Sequence, residues 1–149
     1  MEHETPFEID PRLRLDAQTC FPIYALSRQI TKVYQPFLER LSLTYPQYLV
    51  MMLVWEHSEL AVKELGRRLH LDTGTLTPLL KLLESRQLIR RRRDPHDERS
   101  VLIGLLPAGQ ALHEQARSIP DELGKRLSLT RADVTTLRDE LTRLLTLLG

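Results

Sequence analysis

Cys20 is the only cysteine in 149 residues, and it is the side chain here with the most distinctive chemistry. It lies in Asp16-Ala17-Gln18-Thr19-Cys20-Phe21-Pro22-Ile23-Tyr24, at what reads as the start of a long helix. A lone cysteine has no intrachain disulfide partner, so Cys20 is expected to be a free thiol in a reducing compartment. Thiols react as thiolates, and both the positive end of a helix and hydrogen bonds to sulfur favour that form. Such a thiol can serve as a sensor that peroxide converts to a sulfenic acid. With no second cysteine to resolve it, the product would become a mixed disulfide with a small cellular thiol, a sulfenamide or an over-oxidised acid. The bland alternative is a small buried apolar residue, the commoner fate of a lone cysteine. No pair among Cys20, His57, His70, His96 and His113 has ligand spacing, so neither a metal nor another cofactor is expected.

The elements that must hold Cys20 are helical. Residues 1–15 lack periodicity and carry Pro6 and Pro11, which reads as an extended arm. A first helix then runs to about Leu41, with Ile23, Leu26, Ile30, Val33, Phe37 and Leu41 at three- and four-residue steps. An N-cap at Asp16 would put Pro22 where a helical N–H is required, whereas a start at Gln18 or Thr19 leaves it in the first turn. Either start places Cys20 in that turn. Pro36, inside the same pattern, predicts a kink.

Thr44 caps a second helix that opens with Tyr45-Pro46, buries Leu49, Val50, Leu53 and Val54, and ends near His57. A short third helix covers Val62 to Leu69. The turn His70-Leu71-Asp72 leads to a fourth, from Thr73 to about Arg86, with Leu76, Leu79, Leu80 and Leu83 as its inner stripe. Ile89–Arg93 and Ser100–Leu105 read as two short strands joined by a turn over Asp94-Pro95-His96-Asp97-Glu98. A helix from about Ala108 to Leu127, with Pro120 a candidate bend, and a last one from Thr130 to Leu148 complete the chain. The expected architecture is mainly α with a small β-wing: a single winged helix-turn-helix domain over 1–149, its helix-turn-helix and hairpin at about 58–106, between helical ends at about 16–41 and 108–148.

Composition agrees with a folded domain, at 42% hydrophobic and 28% charged residues. Glu2, His3 and Glu4 open the chain instead of the basic start of a signal peptide, and no apolar run reaches about 18 residues, so a cytoplasmic location is expected. Net charge is only +1, but residues 63–99 carry ten Lys/Arg against six Asp/Glu. A basic middle between near-neutral ends suggests a face aimed at a polyanion.

Helix, turn, amphipathic helix and basic hairpin, in that order, suit DNA reading. A recognition helix must be thin and polar on its outward side to enter a major groove about 12 Å wide. Here that side holds Thr73, Gly74, Thr75, Thr77, Pro78 and Lys81. The threonines can serve bases or phosphates, and Gly74 allows close approach of the backbone. The hairpin supplies cations from Arg90 to Arg93, of which Arg91 and Arg93 are candidate contacts together with Arg99. Asp97 could aim Arg99 toward a narrow minor groove through a charge-assisted hydrogen bond. Read separately, the helix could be an ordinary core helix and the arginine run a solvated strand edge guarded against aggregation.

Three segments resemble the MarR-family regulators: Leu43-Thr44-Tyr45-Pro46-Gln47-Tyr48, Leu71-Asp72-Thr73-Gly74-Thr75-Leu76-Thr77-Pro78-Leu79-Leu80-Lys81 and Asp97-Glu98-Arg99-Ser100-Val101. Together with Cys20-Phe21 and Tyr24 they resemble its single-cysteine, organic-hydroperoxide-sensing repressor branch (OhrR). The likeness is strong over about 15–115 and looser beyond, and Pro22 departs from the branch pattern. The resemblance implies a homodimeric repressor on a pseudo-palindromic operator in double-stranded DNA, induced by an organic hydroperoxide, with a DNA-reading part at about 58–106 and N- and C-terminal dimerisation helices at about 16–41 and 108–148. It also implies thiolate-donor roles for Tyr34 and Tyr45. Tyr34 lies about 21 Å beyond Cys20 along one helix at 1.5 Å per residue, so as a donor it must come from the other subunit. A low-molecular-weight thiol is the expected partner of oxidised Cys20.

Two rivals remain. One is the same fold released by a non-covalent phenolic or aromatic ligand, with Cys20 structural. The other is a one-cysteine peroxidase, against which stands the lack of a peroxidase loop or of a His or Arg placed beside Cys20. The expected role is therefore regulatory and not enzymatic.

Overall fold

The structure is a computed structural model that describes residues 7–149. Glu2, His3, Glu4 and Pro6 of the expected arm and N-terminal signature lie outside the described residues. The rest of the arm is not simply extended. Asp10 accepts a hydrogen bond from the Arg12 amide at 2.9 Å and starts a 3₁₀ turn at Pro11–Leu13, followed by a second at Leu15–Ala17. A short acidic cap followed by proline at the first helical position favours such a turn.

Helix α1 spans Cys20–Leu41 and α2 spans Tyr45–His57. Cys20 is the first residue of α1, and Pro22 falls within the first turn, where its missing N–H costs nothing. The α1–α2 turn is closed at both sides. Ser42 takes a left-handed conformation, its amide bonded to Glu39 O and Leu38 O, while Thr44 and Gln47 form a reciprocal capping box. Strand β1, Glu59–Ala61, runs straight into α3, Val62–Leu69, and α4 follows at Thr73–Ser85.

The wing is β2, Ile89–Asp94, and β3, Asp97–Leu105. The sheet order is β1-β3-β2, all antiparallel, with Leu60 opposite Ile103 and Arg91 opposite Ile103 on the other side. Two features depart from the sequence expectation. β1 is a third strand that pattern reading passed over. The turn also shrinks to Pro95-His96, because Asp94 pairs with Asp97 and the surplus residues bulge out of β3 after Arg93.

The expected 108–127 helix is two helices, α5 at Pro107–Ala116 and α6 at Ile119–Leu127. The break falls before Pro120, the second residue of α6, since proline offers no N–H to Ala116 O and disfavours helix in the residue before it. Helix α7, Arg131–Leu148, starts from a Thr130–Asp133 capping box.

The core gathers around α2, where Val50, Met51 and Val54 are wholly buried, with Leu65 of α3, Leu76, Leu80 and Leu83 of α4, and Ile89 and Ile103 of the wing. Leu79, expected in the inner stripe of α4, is only half-buried. α1 contributes only its C-terminal end to this core, Phe37, Leu38 and Leu41, and α7 buries no residue. Among the described residues no helix is long and apolar enough to cross a membrane.

Gly109 marks the tightest approach between α5 and the head. A Cβ there would overlap the Leu88 carbonyl oxygen and sit 2.9 Å from Leu105 Cδ1, whereas one at Gly124 meets nothing within 4 Å. Gly109→Ala should therefore lower the thermal midpoint, and Gly124→Ala should raise stability by about 0.5–1 kcal/mol through helix propensity. Equal midpoints for the two variants would contradict this packing.

Candidate thiol switch and nucleic-acid interface

Cys20 is a free, exposed thiol at the N-terminal residue of α1, on the part of the helix that its own chain does not cover. Phe21, Ile23, Tyr24 and Leu26 beside it are exposed as well. The Tyr24 hydroxyl accepts a hydrogen bond from Arg28 Nη1 at 3.2 Å. Helix α1 is continuous from Cys20 through Tyr34, so the axial separation of about 21 Å stands and the two side chains do not meet within one chain.

Tyr34 and Tyr45 do meet each other. Their ring centroids are 4.9 Å apart, and Tyr48 stands 6.0 Å from Tyr34 and 6.4 Å from Tyr45. The stack continues through Trp55, 6.3 Å from Tyr48, to His113, 5.4 Å from Trp55. Trp55 Nε1 donates to Gly109 O at 2.9 Å and anchors its far end. Sequence reading missed Tyr48 and Trp55, although Tyr45, Tyr48 and Trp55 recur on one face of α2 at helical spacing.

Burial, then the neighbouring Tyr45 and Tyr48, push the Tyr34 phenol up to about 12. Burial also raises Tyr45, and burial followed by Tyr45 raises Tyr48. All three are therefore neutral O–H donors near neutral pH. Among the described residues neither the Tyr34 nor the Tyr45 hydroxyl has a hydrogen-bond partner in its own chain.

The reading head is set by its caps. Asp72 begins α4, its carboxylate accepting from the Thr75 amide at 2.7 Å, a bond that holds the group below its ordinary range. Thr73, Gly74, Thr75, Pro78 and Lys81 are exposed and Thr77 is half-buried. The Thr77 hydroxyl donates to Thr73 O at 2.8 Å, which leaves its lone pairs as the part free for an outside donor. Gly74 has ordinary helical geometry, and a Cβ there would meet only Asp72 Oδ1 at 3.4 Å.

Charge in the wing is arranged differently from the expectation. Arg91 pairs in bidentate fashion with Glu84 of α4, through Nε at 3.0 Å and Nη2 at 3.1 Å, so it ties β2 to the recognition helix. Arg92 pairs likewise with Glu59 of β1, and Arg90 reaches the same carboxylate at 3.8 Å. Arg67 and Arg68 are held by Glu64, whose carboxyl is drawn down to about 2 first by Arg67 and then by Arg68. Arg93 donates to Glu98 O at 2.9 Å, within the bulge. Asp97 accepts from the Arg99 backbone amide at 3.1 Å, so it shapes the strand instead of aiming the guanidinium.

Among the described residues Lys63, Lys81, Arg93 and Arg99 have no carboxylate partner. Lys63 was not singled out from the sequence. It lines the cleft between α3, α4 and β3 with Thr73, Thr77 and Arg99. A concave cleft with thin polar side chains on one wall and unpaired cations on its rim is suited to a phosphate backbone. No group of three or more His, Cys, Asp or Glu among the described residues is placed to hold a metal.

The tyrosine cluster makes a test of pH. A phenol whose proton leaves at 10.0 when unfolded and about 12 when folded adds stability that is whole below pH 10 and lost as pH rises through 12. Tyr34→Phe should flatten the decline in denaturation midpoint over that window. A decline as steep as that of the parent chain would contradict the burial of this phenol.

Residues 32–123 match the family described as transcriptional regulator SarA/Rot. An organic hydroperoxide resistance transcriptional regulator of Bacillus subtilis is 48% identical over 136 residues, covering 91% of this chain and 90% of its own. The crystal structure of AbfR of Staphylococcus epidermidis superposes with a TM-score of 0.75 at 35% identity, over 92% of this chain and 95% of that one. Reduced AbfR bound to DNA superposes at 0.71 with 32% identity, over 92% and 96%. The head geometry and these likenesses agree, and the chain belongs to the SarA/MarR family of winged-helix transcriptional regulators.

Proposed function

We propose that this protein is a homodimeric repressor that holds double-stranded operator DNA while Cys20 is reduced and releases it when an organic hydroperoxide oxidises Cys20. The observation that carries the reading is a pair of complementary vacancies. An exposed thiol sits on a helix face without an intrachain partner, and two neutral phenols stand together with unused hydroxyls about 21 Å farther along. A second copy packed along α1 and α7 would cover Phe21, Ile23 and Leu26 with Val134, Leu137 and Leu141, and would bring Cys20 of one protomer to Tyr34 and Tyr45 of its partner. The likeness to the Bacillus subtilis regulator supports the inducer class.

In the proposed chemistry the thiolate attacks the outer peroxide oxygen, the O–O bond breaks and an alkoxide leaves, taking a proton to become the alcohol. The sulfur, oxidised by two electrons, is then a sulfenic acid. A small cellular thiol condenses with it, forming an S–S bond and releasing water. The preference for an alkyl peroxide over hydrogen peroxide is what the family likeness implies, and apolar Phe21, Ile23 and Tyr24 beside the thiol agree with it.

On DNA, α4 would enter the major groove with Thr73, Gly74, Thr75, Thr77, Pro78 and Lys81 outward. Arg99 and Arg93 would follow the wing toward the minor groove, with Lys63 on the backbone. Arg91 acts in this reading by fixing the wing angle through Glu84.

Two outcomes follow. In a gel shift on DNA upstream of the coding region, an organic hydroperoxide should release the parent chain while Cys20→Ser stays bound; release of both would favour a non-covalent ligand. Arg99→Ala should weaken binding and reduce the slope of log affinity against log salt by about one. An unchanged slope would remove Arg99 from the phosphate contacts.

A further inference from the structure

The C-terminal residue of the recognition helix reaches back to the sensing half of the molecule. Arg86, the C-cap of α4, extends its guanidinium to the end of α1, where Nη1 donates to Ser42 O at 2.6 Å and Nη2 to Leu41 O at 3.1 Å. These carbonyls lie at the negative end of α1, where helix geometry provides no internal donor. The planar fork of an arginine spans two neighbouring carbonyl oxygens, which an ammonium does not match in geometry.

The location gives this bond pair its interest. Leu41 ends α1 and Ser42 caps it; Tyr45 opens α2 just beyond this turn, and Tyr34 lies two helical turns before it on α1. The two rings are in contact at 4.9 Å. The turn is itself well defined, by the left-handed Ser42 and by the Thr44–Gln47 capping box. Leu41 and Leu43 belong to the same buried core as Leu80 and Leu83 of α4, and apolar burial of this kind is non-directional. Among the described residues the Arg86 bonds are the only hydrogen bonds between the turn and the end of α4.

We propose that Arg86 is the positioning residue that couples the α1–α2 turn to the recognition helix, so that a change at Tyr34 and Tyr45 reaches α4 as a change in its orientation. The proposal rests on the thiol–tyrosine reading above for its trigger. The coupling itself needs only that the turn and α4 shift together.

The test uses the full-length dimer and iodoacetamide, which alkylates Cys20 without a peroxide. Operator affinity and amide exchange over residues 73–88 are measured before and after alkylation, in the parent chain and in Arg86→Met. In the parent chain, alkylation should weaken operator binding about tenfold or more and speed exchange in α4. Unmodified Arg86→Met should bind within about threefold of the parent, and alkylation should change its affinity by less than about threefold. Arg86→Lys, which keeps the charge but not the fork, should fall between the two, and it carries the test should Arg86→Met not fold.

A purely structural cap would weaken both states of Arg86→Met by the same factor, and an unaltered alkylation ratio in the variants overturns the proposal. So does a parent chain whose affinity and α4 exchange ignore alkylation. A parent chain that responds to iodoacetamide but not to organic hydroperoxides leaves the coupling standing and removes the redox reading alone.

Discussion

The rest of the structure depends on an apolar surface that the chain does not cover by itself. α1 buries only its last residues and α7 buries none, yet both carry regular apolar stripes. Water opposes leaving such stripes exposed, and two helices that flank a packed head are placed to bury them against a second copy. In the proposed dimer this is also the place where sensing occurs. Cys20 occupies the uncovered end of α1, and the phenols proposed to serve it, Tyr34 and Tyr45, stand about 21 Å farther along, out of reach within one protomer. On this proposal association and thiol chemistry share one surface, and a change at sulfur would be felt by the packing of the two subunits.

Electrostatics divides the basic middle of the chain between two tasks. Arg90, Arg91 and Arg92 are engaged by Glu59 and Glu84, and Arg67 and Arg68 by Glu64. The Arg91–Glu84 pair ties β2 to α4, the Arg92–Glu59 pair ties β2 to β1, and the Glu64 pairs stay within α3. The cations without a carboxylate partner that are proposed to meet phosphate are fewer and more widely spaced, from Lys63 on α3 through Lys81 on α4 to Arg93 and Arg99 on the wing. Geometry of this kind favours a defined register on a duplex over general attraction to any polyanion.

Much of this was readable in the sequence, for physical reasons that differ by element. The 3.6-residue apolar period places α2, α3, α4 and α7 to within a residue or two, and Thr44 marks a start because an unpaired helix N–H requires an acceptor, whereas Asp72 reads as a turn residue and proves to be the cap of α4. β1 was missed because three residues are too few to show alternation, and its existence is decided by pairing with β3, some forty positions away. The α5–α6 break was read as a bend because the sequence shows Pro120 but not where the preceding helix will stop. The Arg91–Glu84 pair was hidden for a related reason, since arginines in a run look alike until strand register decides which faces α4. The same limit applies to Arg86, whose carbonyl partners lie more than forty residues earlier in the chain.

The central claim is that each Cys20 is served by the tyrosines of the partner subunit. Mixed dimers test it directly. One protomer would carry Cys20→Ser with its tyrosines intact, and the other would keep Cys20 but carry Tyr34→Phe and Tyr45→Phe. Such a dimer holds one complete site if the tyrosines act across the interface, and none if they act within a chain. The rate at which an organic hydroperoxide oxidises the single thiol should match that of a parent site. A rate no faster than in the Tyr34→Phe, Tyr45→Phe homodimer would contradict the account.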